Sequence, residues 1–372
     1  MRKNSIMKKL ISMFLPMLLL IGCSNPKDNI IELGGTLPLT GEVASYGISA
    51  KNGLQLKIDE TNASGGINGK KIEVEFQDDK NSIKDAVNIF NDFATIKDYP
   101  LVFGSAGSSV SLSLVPIAKR EKVILFSPVS SASKLSTEGG KFFFRTVPSD
   151  NLQAEMLSSW LKQEGIKKLA IVYTNNSWGK PLTDAITDIL SQDGSEVVFT
   201  EGVQENTTDF RTIIIKLKKT KFDAILSPTY PKEGGMFVKQ LKEAGVATRL
   251  FGGDNWGAPE FISIAGNAAN GVRFTFPSDS KSPLWSEFVT NFKAKYGQEP
   301  DIIAAYGYDA ASAVVEALKK VNELTSEEIR EKLLGVSFEG VSGRITFKPN
   351  GDVNSEGYGK RTIENGKVIS VN

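Results

Sequence analysis

Histidine is absent from all 372 residues, and cysteine occurs once, as Cys23. Ser-His-Asp and Cys-His catalysis are thereby excluded, as are zinc sites built from imidazole and thiolate clusters. A single thiol forms no disulfide within the chain. No Asp-x-Asp-x-Asp-Gly spacing marks a calcium loop. The nearest approach to a phosphate loop is Gly65-Gly66-Ile67-Asn68-Gly69-Lys70. It has three residues rather than four between Gly65 and Gly69, and Lys71 where Ser or Thr should follow. An excess of one charge is lacking too, with 44 basic against 43 acidic residues. Such a balance offers no basic footprint for nucleic acid. The expectation is a protein with no catalytic residue, no metal and no cofactor. Hydrolysis by paired carboxylates stays open in principle. The adjacent pair Asp78-Asp79 makes a poor dyad, because neighbours on a strand point to opposite faces.

What is present begins with an address. Arg2, Lys3, Lys8 and Lys9 precede an apolar run from Leu10 to Ile21, interrupted by Ser12 and Pro16. The run falls short of the about 20 residues that cross a bilayer. A basic segment followed by such a run reads as a secretion signal, and Met7 offers a second possible start. The run closes on Leu20-Ile21-Gly22-Cys23, which resembles the bacterial lipobox, where the cysteine receives a lipid before cleavage. Residues 1–22 are read as the signal peptide, Cys23 as the lipidation site and 23–29 as a polar tether. Cleavage removes four of the 44 basic and none of the 43 acidic residues, leaving a formal charge of −3. Attachment to the membrane then rests on the lipid. The expected location is the outer side of a bacterial cell membrane, within the cell envelope.

About 350 mature residues exceed what one hydrophobic core usually holds, so two domains are expected. From Ile30 the chain alternates strand-like and helix-like stretches, and the alternation restarts after Pro148. This order implies parallel sheets with helices on both faces. Candidate crossovers are Thr146-Val147-Pro148-Ser149, Thr275-Phe276-Pro277-Ser278 and a third near Gly351 to Gly357. The fold class read here is α/β, with two doubly wound parallel-sheet lobes. Residues 30–147 and 277–352 form lobe 1; residues 148–276 and 353–372 form lobe 2.

In open α/β sheets, ligands bind beyond the carboxyl ends of the strands. After Leu101-Val102-Phe103, the segment Gly104 to Ser109 opens a helix and brings Ser108 and Ser109 with free N–H groups, a setting suited to a carboxylate. The alternative for Ser108 is an ordinary helix cap. After Val123 to Phe126 come Val129, Ser130 and Ser131, more hydroxyls at a second strand end. Trp178 follows the strand 169–173 in a polar loop, and Tyr230 follows Ile225-Leu226. Each either packs on its own domain or faces a ligand. Asp254 after Phe251-Gly252-Gly253 suits an ammonium or caps a turn.

These pieces together carry a resemblance. The stretch Asp59-Glu60-Thr61-Asn62-Ala63-Ser64-Gly65-Gly66-Ile67-Asn68-Gly69-Lys70-Lys71-Ile72 resembles a segment of the branched-chain amino acid binding proteins. Further pieces are Pro38-Leu39-Thr40-Gly41 with Tyr46-Gly47, Asp78-Asp79, the 104–109 loop, Ser127-Pro128 and Tyr308-Asp309-Ala310. They occur in the family's order over nearly the whole mature chain. The family comprises type I periplasmic binding proteins of transporters driven by ATP hydrolysis. The resemblance implies a Venus-flytrap fold with three crossovers, a monomer, an amino-acid ligand and a membrane permease as partner. It implies that Ser108 and Ser131 hold the ligand carboxylate, helped by backbone near Val129 and Ser130. Asp254 then meets the ammonium with Tyr230 nearby, and Tyr46 and Trp178 shape the side-chain pocket. Leucine-type members carry Glu and Tyr where this chain has Asp254 and Trp178, which leaves the accepted side chain open. Relatives of this fold bind amides, urea and aromatic acids, and the fold also serves sensory receptors.

Overall fold

The computed structural model describes residues 29–192 and 194–371. The signal segment and Cys23 lie outside the described residues. The first half of the chain runs β1 (Ile30–Leu37), α1 (Ala44–Ala63), β2 (Lys71–Asp78), α2 (Ile83–Asn91), β3 (Leu101–Gly104), α3 (Ser108–Glu121), β4 (Ile124–Ser127), α4 (Ser133–Glu138) and β5 (Phe143–Arg145). These strands form one fully parallel sheet in the order β2-β1-β3-β4-β5.

The sheet is buried on both faces, and single strands show why. In β3, Leu101 and Phe103 face one core with Leu54 and Val314, while Val102 faces another with Phe90 and Leu114. In β4, Ile124 and Phe126 divide from Leu125 in the same way. An unbroken apolar run in a strand is therefore the signature of helices on both sides. In this core Phe347 meets Phe126 and Phe144 edge to face, with ring centroids 5.7 and 5.4 Å apart.

The second half continues with α5 (Asp150–Gln163), β6 (Lys168–Thr174), α6 (Gly179–Ser191), β7 (Glu196–Val203), α7 (Arg211–Lys218), β8 (Ala224–Ser227), α8 (Pro231–Glu243), β9 (Arg249–Gly252), α9 (Pro259–Ala265) and β10 (Arg273–Pro277). Then come α10 (Trp285–Tyr296), α11 (Ile302–Leu318), α12 (Ser326–Leu334), the short pair β11 (Phe338–Glu339) and β12 (Arg344–Ile345), and finally β13 (Tyr358–Glu364) and β14 (Lys367–Ser370). The second sheet has the order β14-β13-β10-β9-β8-β6-β7. Five of its strands run parallel. β13 and β14 add an antiparallel edge, because the chain re-enters this lobe by a late crossover and then turns back on itself.

Helices α10 and α11 return to the first lobe. α11 crosses α1 at a distance that two glycines permit: a Cβ on Gly53 would lie 1.8 Å from the Ala304 carbonyl oxygen, and one on Gly307 2.2 Å from that of Ala50. The chain passes between the lobes three times, and those passages are tied together. Arg145, fully buried, donates from Nε to Asp352 at 2.7 Å and from Nη1 to the carbonyls of Ser130 and Ala132 at 3.2 and 3.0 Å. Tyr358 donates its hydroxyl to the Pro148 carbonyl at 3.2 Å. Among the described residues no helix is long and apolar enough to cross a membrane.

Candidate functional site

Each sheet has a topological switch point, where strand order reverses: between β1 and β3 in the first, and between β6 and β8 in the second. Loops leaving these strands diverge and open a crevice. Tyr46 follows β1, Ser108 follows β3, Trp178 follows β6 and Tyr230 follows β8. All four line one cavity, with Val129, Ser131 and Asp254, enclosing about 580 Å³ including its open mouth. Val43, Val147, Phe276 and Ile303 supply further apolar wall. The cavity thus lies between the lobes and takes side chains from both.

The first lobe's wall is a braced set of hydroxyls. Gly107, not Ser108, is the cap residue of α3. Ser108 Oγ instead accepts the N–H of Ala132 at 3.2 Å, which joins the β3 and β4 loops. Ser127 Oγ donates to the Ser105 carbonyl at 2.7 Å and accepts the N–H groups of Val129 and Ser130 at 3.2 and 2.8 Å. The backbone donors expected from Val129 and Ser130 are therefore already committed. Val129 still reaches the cavity. Ser130 does not: it is fully buried, and its hydroxyl lies 2.9 Å from the Ser105 carbonyl and 3.0 Å from that of Ala106. Its place is in the frame behind the wall. Ser109 is likewise outside the cavity lining. Its Oγ accepts the N–H of Ser177 from the opposite lobe at 3.2 Å, a strut between lobes.

The second lobe's wall is aromatic and acidic. Asn176 Oδ1 accepts the N–H groups of Trp178 and Gly179 at 3.0 and 2.9 Å, which fixes the start of α6 and the direction of the indole. Trp178 stacks on Tyr230 with centroids 5.6 Å apart and planes 16° from parallel. Tyr230 is held by its N–H, which donates to Thr174 Oγ1 at 3.1 Å, and Pro231 starts α8 right after it. Asp254 opens a single helical turn at the end of β9, and its Oδ1 is buried without a hydrogen-bond partner. Tyr46 Oη is in the same condition.

Two residues that reading by strand ends overlooks join this group. Asp150, 2 % exposed, has neither oxygen in a hydrogen bond, and Gln153 one turn later has both side-chain polar atoms unpartnered. Asp150 begins α5 immediately after the first crossover, where an acid looks like an ordinary favourable charge at a helix start. Burial pushes the Asp150 carboxyl up to about 8, with the charge of Asp254 adding to the rise; Arg145, Ser131 and the Trp178 indole temper it. Burial likewise pushes Asp254 up to about 6, tempered by Gln153 and backbone N–H groups. Buried polar atoms are normally hydrogen-bonded, so this cluster is a demand for donors and positive charge that the chain leaves unmet.

The chain matches the model of the periplasmic binding protein family over residues 30–366. It belongs to that family. It is 28% identical over 326 residues to the leucine-, isoleucine-, valine-, threonine- and alanine-binding protein of Pseudomonas aeruginosa, covering 87% of this chain and 86% of that one. The branched-chain amino acid transporter substrate-binding protein of Streptococcus pneumoniae, solved with isoleucine, superposes with a TM-score of 0.82 at 29% identity, covering 91% of this chain and 97% of that one. An R. palustris solute-binding protein solved with benzoate shares the fold, with a TM-score of 0.82 at 20% identity, covering 92% of this chain and 95% of that one. The periplasmic binding protein architecture accounts for the two doubly wound lobes and three crossovers.

Proposed function

We propose that this binding protein captures an α-amino acid with an apolar side chain and presents it to the permease of an ATP-driven importer. One observation carries the reading. Ser108 and Ser131 stand on one wall of the interlobe cavity, and Asp254, half-buried with its Oδ1 enclosed and without a hydrogen-bond partner, stands on the other. Hydroxyls suit a carboxylate, and a desolvated acid requires a cation. Val129, Val147, Phe276 and Trp178 leave an apolar space for the rest of the ligand. Asp150 lies close enough to feel the charge of Asp254, so the ammonium meets a pair of acids rather than a single group. In this reading Tyr46 and Tyr230 flank the side chain, and closure of the lobes completes both polar contacts at once.

Aromatic acids fit less well. Benzoate brings a carboxylate and a ring but no cation, so Asp254 and Asp150 stay uncompensated. Calorimetry with L-leucine, L-isoleucine, L-valine, L-alanine, L-threonine and benzoate tests the choice. Heat of binding with at least one amino acid and none with benzoate is expected; the reverse overturns the reading. The same proposal holds the protein at the outer face of the membrane through lipid on Cys23. Cys23→Ala should then shift it from the membrane fraction to the soluble one.

A further inference from the structure

At the lip of the cleft, outside the cavity lining, one glutamate from each lobe meets the other. Glu42 lies in the loop between β1 and α1; Glu233 lies in the first turn of α8. Glu233 is fully buried, and its Oε1 accepts the backbone N–H of Asn206 at 2.5 Å. Its Oε2 has no donor, and neither has the buried Oε1 of Glu42. The two carboxyls are within hydrogen-bonding reach of one another. Ionised carboxylates are acceptors only, so two of them in contact have no hydrogen to share. One proton turns that confrontation into a bond between lobes.

The surroundings do not replace the proton. The charge of Lys232 tempers Glu42, and the Lys232 Nζ donates to Asn206 Oδ1 at 3.1 Å. Glu205 adds a third acid on the second lobe, and its Oε1 accepts from the Asn176 amide at 2.7 Å. The Tyr230 phenol also feels the Glu42 charge but, with burial pushing it far up, stays neutral. Glu42, Glu205 and Glu233 thus share the seam with Lys232.

We propose that closure of the two lobes takes up a proton onto the Glu42–Glu233 pair, which acts as an acid-strengthened clasp. Protonated, the pair bridges the lobes; ionised, it pushes them apart. The clasp sets how long the cleft stays shut, not which solute it selects, and it does not depend on the identity of that solute. Burial first, and then the Glu233 charge, push Glu42 from its ordinary 4.5 up to about 7. An acid whose value is raised in the closed state favours closure at low pH, and that advantage is lost as pH climbs from 4.5 through about 7. Glu42 is only half-buried, and solvent screens such pairs. The expected loss between pH 5.5 and pH 8 is therefore about tenfold in closing equilibrium, not the full shift.

The test uses the whole protein in two measurements. Small-angle scattering without ligand reports lobe opening, and stopped-flow release of L-isoleucine, the probe, reports clasp lifetime. In the wild type, the radius of gyration should rise, and isoleucine release should quicken about tenfold, from pH 5.5 to pH 8. Glu42→Gln supplies a permanent donor, so the scattering response should flatten and release at pH 8 should slow. Glu233→Gln should act alike, and circular dichroism checks that each variant is folded. A wild type with neither response overturns the clasp, as does a Glu42→Gln protein that keeps the wild-type pH profile. If isoleucine does not bind, the proposed ligand class fails while scattering still decides the clasp.

Discussion

The two walls of the cleft are built on opposite principles. On the first lobe three serines are braced within the lobe: Ser108 to Ala132, Ser127 to Ser105, Ser130 to the carbonyls of Ser105 and Ala106. At the first crossover Asp150 and Gln153 are buried with polar atoms unpartnered, and on the second lobe the half-buried Asp254 has its Oδ1 enclosed in the same condition. The braced wall has its geometry before any ligand arrives, which keeps the ordering cost of binding low. The opposite wall is held in position by Asn176 and Thr174 but left electrostatically incomplete. One lobe supplies form and the other supplies need, and the two charges of the proposed amino acid would fall between them.

The sharpest way to break this contrast is to unfasten the braced wall. Arg145 holds the carbonyls of Ser130 and Ala132 and pairs with Asp352 out of water. Arg145→Met leaves the Asp352 carboxylate buried without its partner, a change costing roughly 3–5 kcal/mol. Urea unfolding should read that loss, and the double variant Arg145→Met with Asp352→Leu should recover part of it. An Arg145→Met protein as stable as the wild type would mean the first wall stands without its brace.

Next in size is the acid of the second wall. Asp254→Ala should weaken amino-acid binding by about 100-fold or more, with little change in unfolding free energy. Removing an already unpartnered group strands no other buried charge. Calorimetry and urea unfolding of the same sample separate the two effects. Unchanged affinity would remove Asp254 from the site.

Much of this contrast was legible before any coordinates. Strand ends singled out Ser108, Ser131, Trp178, Tyr230 and Asp254, and the family resemblance added Tyr46; all six line one cavity. The misplacements have one cause. Sequence shows which residues follow a strand, but not which way each then points. Ser108, Ser109, Ser130 and Ser131 look equivalent as hydroxyls at strand ends. In space, Ser130 turns inward to satisfy carbonyls that would otherwise be buried unpaired, and Ser109 turns sideways to the other lobe. Asp150 escaped for the converse reason: its place at a helix start already had an ordinary explanation.

That distinction between serines yields a smaller, sharper prediction. Ser108→Ala should lower affinity roughly tenfold, the scale of one hydrogen bond to a charged group. Ser130→Ala should leave affinity within about twofold while lowering stability by about 1–2 kcal/mol, because the carbonyls it serves stay buried. Equal affinity losses in both variants would return Ser130 to the ligand shell.

The smallest effect is a count of protons. Without ligand, burial holds Asp150 at about 8 and Asp254 at about 6. Carboxyls raised in this way favour the folded state below their ordinary value of 3.8, and the benefit fades as pH rises through about 6 and then 8. An ammonium placed between them reverses the preference and favours both ionised forms. Amino-acid binding near pH 7 should therefore release a fraction of a proton, chiefly from Asp150, while the Glu42–Glu233 seam takes one up. Calorimetry in buffers of differing ionisation enthalpy measures the net exchange. In Glu42→Gln the seam falls silent, and net release should emerge; adding Asp150→Asn should abolish it. Release that persists without Asp150 would assign the titration elsewhere, and the second wall would no longer be the incomplete one.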